Sequence, residues 1–310
     1  MRGSLANHLA DFIAQVNAQI AEAKVKGTVP TPELARERLA SLSEFVTDIP
    51  ELALVVDREL ITETHTIPVK VYSPDPETAL PVVTFFHGGG HMCGNLELYD
   101  PMCRKIALSA CCTVISIDYR LSPEHPYPEG LNDAVYAVKN YTEVLTGINY
   151  SEQLMIAGDS AGGAICTSLA MKKVHDPELK FSKQILIYPN VDYTSSSASI
   201  EENGSGFFLE KARIEWYFDH YFLHNEDRKK ASPLYGPIDH NGPESLIILA
   251  GCDPLRDEGI SYAEKLTQAG VSVTLYQFHH MIHAFMNIEN LVPEECKKLY
   301  QLIGDFVRDE

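Results

Sequence analysis

The amino-acid sequence predicts an α/β fold built on a mostly parallel central sheet with helices on both faces. The first observation is a set of short, continuously apolar runs, which are typical of strands covered on both faces; they span 80–86, 113–117, 154–157, 184–188, 245–250 and 271–276. The second is that stretches with helical periodicity separate these runs, at 100–110, 131–144, 161–174, 259–269 and 294–307. Alternation of strand and helix through most of a chain indicates a parallel sheet wrapped by helices.

The N-terminal part of the chain predicts two helices and a hairpin ahead of this alternating region. Apolar residues recur at three- and four-residue steps in 5–24, and the segment 32–42 follows Thr31, a favoured N-cap residue. The alternating run 55–71 predicts a β-hairpin or meander. Packing against the sheet is the simpler interpretation of the two helices, and a lid over a site is the functional one.

Residues 190–230 interrupt the alternation of strand and helix. A Ser-rich stretch and a Gly-containing stretch lead into the aromatic run Ile-Glu-Trp-Tyr-Phe-Asp-His-Tyr-Phe at 214–222. This pattern predicts an insertion between two strands. Packing alone could explain the aromatic side chains, and the functional interpretation is a cap over a binding cleft.

Composition and charge argue against several classes of function. The chain has 310 residues and a formal net charge of −18, from 43 acidic and 25 basic residues. This excess of acid disfavours binding to nucleic acid and docking on an anionic membrane, because both need clustered Lys and Arg. The simplest meaning of the charge is solubility.

The cysteines and the first residues bear on the compartment. Seven cysteines, an odd number with no Cys-x-x-Cys pair, favour buried reduced thiols over a disulfide framework or a metal site. We see no apolar leader and no apolar run of about 18 residues, and therefore expect a cytoplasmic protein. Residues 1–4, Met-Arg-Gly-Ser, fit a native start and an expression-vector remnant equally well.

The sequence Gly-Asp-Ser-Ala-Gly at 158–162 carries the strongest chemical signal. It follows one predicted strand and opens the next predicted helix, the context in which Gly-x-Ser-x-Gly forms a nucleophile elbow. A sharp turn there would present Ser160 at the carboxyl edge of the sheet, and a side chain at Gly158 or Gly162 would clash. The helix N-terminus behind the serine favours developing negative charge. A plain glycine-rich helix start is the alternative.

A second glycine motif, His87-Gly88-Gly89-Gly90, directly follows the strand predicted at 80–86. Consecutive glycines leave backbone N–H groups free to point at a ligand, as an acyl-transfer enzyme requires where a carbonyl oxygen becomes an oxyanion. The amide of Ala161, next to the serine, would supply a further donor. By itself the motif also fits a phosphate-binding turn or a plain loop.

Candidates for an acid and a base follow the last two predicted strands. Asp253 lies at the end of the strand at 245–250, where a triad acid belongs, whereas Asp257 is expected to cap the following helix. Three histidines, His279, His280 and His283, follow the run at 271–276. All three satisfy the chain order serine, acid, histidine, so the residues alone do not choose among them.

Together these motifs resemble the hormone-sensitive-lipase family of esterases, in the subgroup that carries Gly-Asp-Ser-Ala-Gly. The resemblance covers about residues 60–305 and includes the specific stretch Asp-Tyr-Arg-Leu-Ser-Pro-Glu-His-Pro-Tyr-Pro at 118–128, which in the family shapes the surroundings of the active site. It implies the α/β-hydrolase fold with a helical cap. We accordingly divide the chain into N-terminal cap helices at 1–50 and a catalytic domain at 51–310, with a cap insertion at about 190–230.

The resemblance also implies roles for individual residues. The family's Asp-Pro-Leu-x-Asp-Glu matches a segment that begins at Asp253, which makes this residue the acid. Its His-x-Phe signature matches His283-Ala-Phe, which selects His283 as the base. The usual oxyanion donors correspond to Gly89 and Gly90, with Gly88 as a supporting turn residue.

Two departures from the family pattern bear on substrate preference. The family often has an aromatic residue where this chain has His91, and a glycine where it has His280. Neither departure removes a group expected to be catalytic. Both could change the shape or polarity of the acyl pocket.

The implied activity is that of a serine carboxylesterase acting on short- to medium-chain acyl esters, similar to bacterial acetyl and carboxyl esterases. The expected partner is a small-molecule ester, with no metal and no cofactor, and a homodimer is left open. The alternatives are an amidase or lactonase on the same triad, a lyase of the same family, and a non-hydrolytic ligand-binding member of the fold. The histidine at 283 argues against the last of these.

Overall fold

A computed structural model describes residues 1–309 of the chain. Its centre is an eight-stranded sheet in the spatial order β1-β2-β4-β3-β5-β6-β7-β8. Strand β2 pairs antiparallel with β1 and with β4, and the other neighbours pair in parallel. The strands are β1 (Leu54–Ile61), β2 (Thr66–Ser73), β3 (Leu80–Phe86), β4 (Thr113–Ile117), β5 (Tyr150–Asp159), β6 (Lys183–Ile187), β7 (Glu244–Cys252) and β8 (Val273–Ile282).

Helices precede the sheet, connect its strands and follow its last strand. They are α1 (Ala10–Val25), α2 (Pro32–Ala40), α3 (Leu96–Ala110), α4 (Glu129–Asn140), α5 (Ala161–Lys173), α6 (Ala198–Asn203), α7 (Lys211–Tyr221), α8 (Arg228–Ala231), α9 (Arg256–Gln268) and α10 (Pro293–Arg308). Short 3₁₀ segments lie at Asn7–Leu9, Ser41–Phe45, Tyr141–Leu145, Pro233–Tyr235 and Phe285–Leu291. Within residues 1–309, no helix combines the length and the apolar composition needed to cross a membrane.

The core lies on both faces of the sheet because alternate side chains of a strand point to opposite faces. In β3, Val83 and Phe85 join a cluster with residues of α3, α10 and the N-terminal helix, whereas Val82 and Phe86 join one with residues of α4, α5 and α9. All four side chains are buried. Burying each such side chain stabilises the fold by roughly 1.5–3 kcal/mol, so the sheet is fixed from both sides.

The predicted α/β architecture with a mostly parallel sheet is confirmed. The runs at 80–86 and 113–117 form strands with the predicted bounds, and Thr31 Oγ1 accepts from the Leu34 amide at 3.2 Å to cap α2 as predicted. The predicted insertion at 190–230 lies between β6 and β7 and contains α6, α7 and α8.

The last strand differs from its prediction. The sequence suggested a strand at 271–276, but β8 continues to Ile282 and includes His279 and His280. Strand β8 lies at one edge of the sheet beside β7, and both histidines are exposed on it. A half-exposed edge strand tolerates polar side chains, so the polarity that appeared to end the strand does not end it.

Candidate active site

The turn between β5 and α5 places Ser160 in a strained backbone conformation, with φ 51° and ψ −116°. Non-glycine residues rarely adopt a positive φ, and such outliers cluster at functional sites. A Cβ on Gly158 would overlap the backbone of Gly162, and a Cβ on Gly162 would overlap the carbonyl oxygen of Phe86. The predicted steric need for glycine at both positions is therefore confirmed.

This close approach makes Gly162→Ala a strongly destabilising change. The new methyl group would meet backbone atoms of β3, which cannot rotate away as a side chain can. We expect the free energy of unfolding to fall by about 3 kcal/mol or more. Urea unfolding followed by circular dichroism measures the change. Ala170→Ser, at a half-buried position of the same helix, is the control, and equal stability of the two variants would contradict the steric argument.

Three side chains predicted to act together lie in one hydrogen-bonded chain. The His283 Nε2 atom lies 2.8 Å from Ser160 Oγ, and its Nδ1 atom lies 2.7 Å from Asp253 Oδ2. Asp253 is fully buried, and its other oxygen accepts from the Leu255 amide at 2.8 Å. An ionised carboxylate can only accept hydrogen bonds, so Nδ1 carries the imidazole proton and the lone pair of Nε2 faces the serine hydroxyl.

The competing histidines lie outside this chain of hydrogen bonds. His279 and His280 are exposed on β8, and His280 Nδ1 lies 2.8 Å from the carbonyl oxygen of Ser4. In the paired strands Cys252 lies opposite Ile282, so the residues that follow them, Asp253 and His283, emerge side by side. The strand register thus makes the choice that the residues alone left open, and it agrees with His283, which the family resemblance implied.

The prediction that Asp257 caps α9 is wrong. The helix begins earlier, with Leu255 at the N-cap position and without a side-chain cap, so Asp257 falls inside its first turn. There its carboxylate accepts from the Ser199 amide at 3.0 Å and pairs with Arg256 at 2.7 Å. Asp257 therefore joins α9 to the insertion.

The glycine loop after β3 presents backbone amides to the same space as Ser160. Gly89 and Gly90 have φ values of 116° and 65°, and within residues 1–309 their N–H groups donate to no protein acceptor. Ala161 is the first residue of α5, where N–H groups have no intrahelical acceptor. Gly88 differs, because its amide donates to Asp159 Oδ1 at 2.7 Å.

A cavity of about 660 Å³ opens above these groups. Its base includes Ser160, His283, Gly89 and Gly90, and its walls come from the two N-terminal helices and from the insertion. Representative wall residues are Phe12, Val16, Ile20, Leu34, Leu39, Phe208, Trp216, Tyr217 and Phe218. The volume is in the range of sites that bury a small organic ligand.

His91, one of the departures from the family pattern, forms part of the cavity wall. Its ring stacks on Tyr221 with centroids 3.9 Å apart, and its Nε2 atom lies 3.0 Å from the Tyr193 hydroxyl. Burial lowers the pKa of His91 to about 3. At neutral pH the residue is therefore an uncharged, flat side chain that packs as an aromatic residue would and keeps one hydrogen bond.

Comparison with known proteins decides the family. A family model described as the alpha/beta hydrolase fold matches residues 83–287, more than half of the chain. The chain belongs to the hormone-sensitive-lipase-like family of the α/β-hydrolase fold. The predicted family and fold are confirmed, and with them the predicted class of enzyme, a carboxylic ester hydrolase.

Similar proteins cover nearly the whole length of this α/β-hydrolase. The ethyl acetate hydrolase of Pseudomonas putida is 32% identical over 97% of this chain and 98% of its own. Carboxylesterase NlhH of Mycobacterium tuberculosis is 37% identical over 84% of each chain. The solved structure of a hyperthermophilic esterase from Pyrobaculum calidifontis is 28% identical, has a TM-score of 0.88 and covers 99% of this chain and 98% of its own.

Residues that hold the glycine loop escaped the sequence reasoning. The Tyr119 hydroxyl donates to the carbonyl oxygen of His87 at 2.7 Å, and Ser122 Oγ donates to that of His91 at 3.0 Å. The His87 ring is stacked on Tyr119 and on Tyr99, with centroids 4.6 and 5.4 Å away. Tyr119 and Ser122 belong to the stretch 118–128, so that family motif was the available signal.

Asp159 is a second group that the sequence reasoning passed over. It is buried beside Ser160 and accepts from the Gly88 amide at 2.7 Å and from the Tyr99 hydroxyl at 3.1 Å. Burial, which disfavours the charged form, raises its pKa to about 7, although these two hydrogen bonds oppose the rise. A carboxyl group directly before the predicted nucleophile, in the turn from a strand to a helix, was the signal that could have identified it.

The raised pKa of Asp159 predicts a pH-dependent stability. An aspartate in an unfolded chain has a pKa of 3.8, whereas the pKa of Asp159 is about 7 in the folded state, which therefore binds its proton more tightly. Tighter proton binding by the folded state adds to the free energy of unfolding. This contribution to stability is complete below about pH 4 and is lost as the pH rises through about 7. We expect Asp159→Asn to remove it, so the free energy of unfolding of the variant should rise relative to the wild type across that interval.

Urea unfolding between pH 4 and pH 8 tests this expectation about Asp159. Asp11→Asn, which removes an exposed carboxyl on α1, is the control and should give a curve parallel to the wild type. A parallel curve for Asp159→Asn as well would show that the folded carboxyl titrates as an exposed one does.

Proposed function

We propose that this carboxylic ester hydrolase cleaves short- to medium-chain acyl esters through an acyl-enzyme intermediate on Ser160. The observation that carries the proposal is the unbroken chain of hydrogen bonds from Ser160 through His283 to Asp253 at the base of the cavity. A nucleophile within hydrogen-bond reach of a base that is oriented by a third group is the signature of covalent catalysis.

In the first half-reaction Ser160 Oγ attacks the ester carbonyl carbon while His283 Nε2 takes the hydroxyl proton. Asp253 keeps the Nδ1 proton in place and stabilises the imidazolium that forms. When the C–O bond to the alcohol breaks, His283 returns the proton to the leaving oxygen. The acyl group remains bonded to Ser160.

Charge that develops on the carbonyl oxygen meets preorganised donors. The free amides of Gly89 and Gly90 and the first-turn amide of Ala161 supply these donors in our proposal. Because packing fixes the turn, these amides do not have to reorient during the reaction. Losing one such donor typically lowers turnover by about 100- to 1000-fold. Asp159 supports this arrangement indirectly by holding the Gly88 amide.

In the second half-reaction a water molecule takes the place of the alcohol. His283 removes one proton from the water as its oxygen attacks the acyl carbon, and then gives that proton to Ser160 Oγ as the acyl bond breaks. The products are the carboxylic acid and the free enzyme. The two half-reactions together consume one ester and one water, and neither needs an oxidant or a reductant.

We further propose that residues 1–50 and the insertion at 190–230 form a cap over a catalytic domain at 51–310. Side chains of both segments line the cavity above Ser160, which supports this division. A cap of this kind limits the length of the acyl chain and excludes bulk water from the reacting ester. The similar ethyl acetate hydrolase supports short esters as the substrate class.

The cysteines bear on the compartment in which we propose that the protein works. None of the seven cysteines forms a disulfide and only Cys111 is exposed, which supports a reducing compartment such as the cytoplasm. A homodimer remains a prediction that size-exclusion chromatography with light scattering would test. The named relatives are ester hydrolases, so we favour neither the amidase or lactonase nor the non-hydrolytic alternative.

A series of p-nitrophenyl esters from acetate to palmitate tests the proposed function. We expect the largest kcat/KM among the short and medium chains, and a pre-steady-state burst of p-nitrophenol stoichiometric with enzyme if deacylation limits turnover. Mass spectrometry of the trapped intermediate should place the acyl group on the peptide that contains Ser160. Faster hydrolysis of palmitate than of butyrate would contradict the substrate class, and inertness toward the whole series would contradict the activity.

A further inference from the structure

Three cationic side chains, Lys24 of α1, Arg38 of α2 and Arg213 of α7, line the cavity above Ser160. Within residues 1–309 none of the three has a carboxylate within ion-pair distance or donates a side-chain hydrogen bond. Lys24 and Arg38 are exposed, and Arg213 is half-buried. Among the other arginines, Arg2 and Arg58 also have no carboxylate within ion-pair distance in residues 1–309, and the rest do; these are Arg36, Arg104, Arg120, Arg228, Arg256 and Arg308.

Arg213 is held in place without using its hydrogen-bond donors. Its guanidinium carbon lies 5.1 Å from the ring centroid of Trp216 and 5.9 Å from that of Tyr217. Cation–π contacts of this kind orient the guanidinium while its N–H groups stay available. A guanidinium carries five N–H donors in a planar fork that matches a carboxylate.

Tyr217 contacts both Arg213 and the glycine loop. Its ring covers Gly90 so closely that a Cβ on the glycine would lie 2.5 Å from the ring. Burial raises the pKa of Tyr217, and the positive charges of Arg213 and Arg38 act against that rise. The Arg213 guanidinium therefore lies on the Tyr217 ring that also covers Gly90, one of the proposed oxyanion donors.

The acidic residues of the cavity do not neutralise these cations. Glu44 and Glu210 also line it, but within residues 1–309 neither forms an ion pair with Arg38 or Arg213. Glu210 Oε1 instead accepts from the Gly206 amide at 2.8 Å. Positive charge without a carboxylate partner, among the aromatic and apolar side chains of the cavity wall, is an arrangement that an anionic substrate group would complete.

We propose that the site selects esters that carry a second, ionised group, with monoesters of short dicarboxylic acids as the substrate class. The distal carboxylate is bound by Arg213 and Arg38 through charge-assisted hydrogen bonds, and the methylene chain packs on Trp216 and Tyr217. Ser160 attacks the ester end by the mechanism proposed above, on which this inference rests. The bulk negative charge of the protein is no obstacle, because the charge that matters is local to the cavity.

The test compares two ethyl esters with the same acyl chain length, monoethyl adipate and ethyl hexanoate, by measuring ethanol release. For the wild type we expect the ratio of kcat/KM for the monoester to that for the neutral ester to exceed one. Arg213→Gln should lower this ratio by about tenfold, the loss typical of one hydrogen bond to a charged group, and Arg38→Gln combined with it should lower it further. Adding about 0.5 M NaCl should reduce the ratio, because salt screens the attraction.

Two further variants separate recognition of charge from disturbance of the cap. Arg213→Lys keeps the positive charge and should restore part of the ratio. Arg58→Gln removes an arginine that lies on β1 outside the cavity and should leave the ratio unchanged. A ratio that is unaffected by Arg213→Gln and by salt would overturn the inference. Failure of the proposed function is a different outcome, since neither ethyl ester would then be hydrolysed.

Discussion

Replacing Ser160 with alanine lowers kcat for p-nitrophenyl butyrate by about a million-fold, the loss typical of removing the nucleophile of a serine hydrolase. The serine hydroxyl is the atom that faces His283 Nε2 at 2.8 Å, and alanine offers no atom to form the acyl bond. What remains is the modest catalysis that oxyanion donors and binding supply. Initial rates corrected for spontaneous hydrolysis measure the loss, and the burst of p-nitrophenol should vanish with it.

The matched control for this experiment is Ser168→Ala. Ser168 is buried in α5, the helix that Ser160 precedes, and makes no side-chain hydrogen bond within residues 1–309. Its replacement should leave kcat close to the wild-type value. Unfolding curves for both variants establish that the fold is intact. Turnover by Ser160→Ala at more than about 1% of the wild-type rate would contradict the covalent mechanism.

Replacing Asp253 with asparagine lowers kcat by about ten thousand-fold. The amide oxygen of asparagine can still accept from the Leu255 amide, so the loop is expected to keep its conformation. Its NH₂ group, however, would then face His283 Nδ1 and favour the tautomer whose proton is on Nε2. In that tautomer the imidazole cannot accept the proton of Ser160, which is why a nearly isosteric change has so large an effect.

Asp257→Asn is the control for Asp253→Asn, because Asp257 was the competing acid in the sequence. Its carboxylate contacts Ser199 and Arg256 and makes no contact with His283. We expect a modest loss of stability and little change in kcat. Steady-state kinetics with p-nitrophenyl butyrate distinguish the two variants. If Asp257→Asn lost as much activity as Asp253→Asn, the assignment of the acid would be wrong.

Much of the fold could be predicted from local sequence patterns. Continuously apolar runs such as 80–86 specify a strand buried on both faces, because no half-exposed strand would carry them. The glycines at 158 and 162 could be interpreted in the same way, since the strand-to-helix turn leaves no room for a Cβ. These predictions succeeded because each depends on neighbours along the chain.

Other features depended on contacts between distant segments. Asp159 is an ordinary acidic residue in the sequence, and its raised pKa follows from burial beneath the glycine loop with Gly88 and Tyr99 as partners. The unpaired state of Arg213 could not be anticipated either, because it depends on which carboxylates the cap brings near it. Long-range packing sets the surroundings of both charges.

The sequence by itself determined the class of the sheet, the elbow at Ser160 and the short set of acids and histidines that could serve it. Among His279, His280 and His283 the residues alone did not choose; the family resemblance implied His283, and the tertiary structure places that histidine between Ser160 and Asp253. In the pairing of β7 with β8, Cys252 lies opposite Ile282, so only His283 leaves its strand beside Asp253. A strand register is a relation between two segments far apart in the chain, and no periodicity within either segment encodes it.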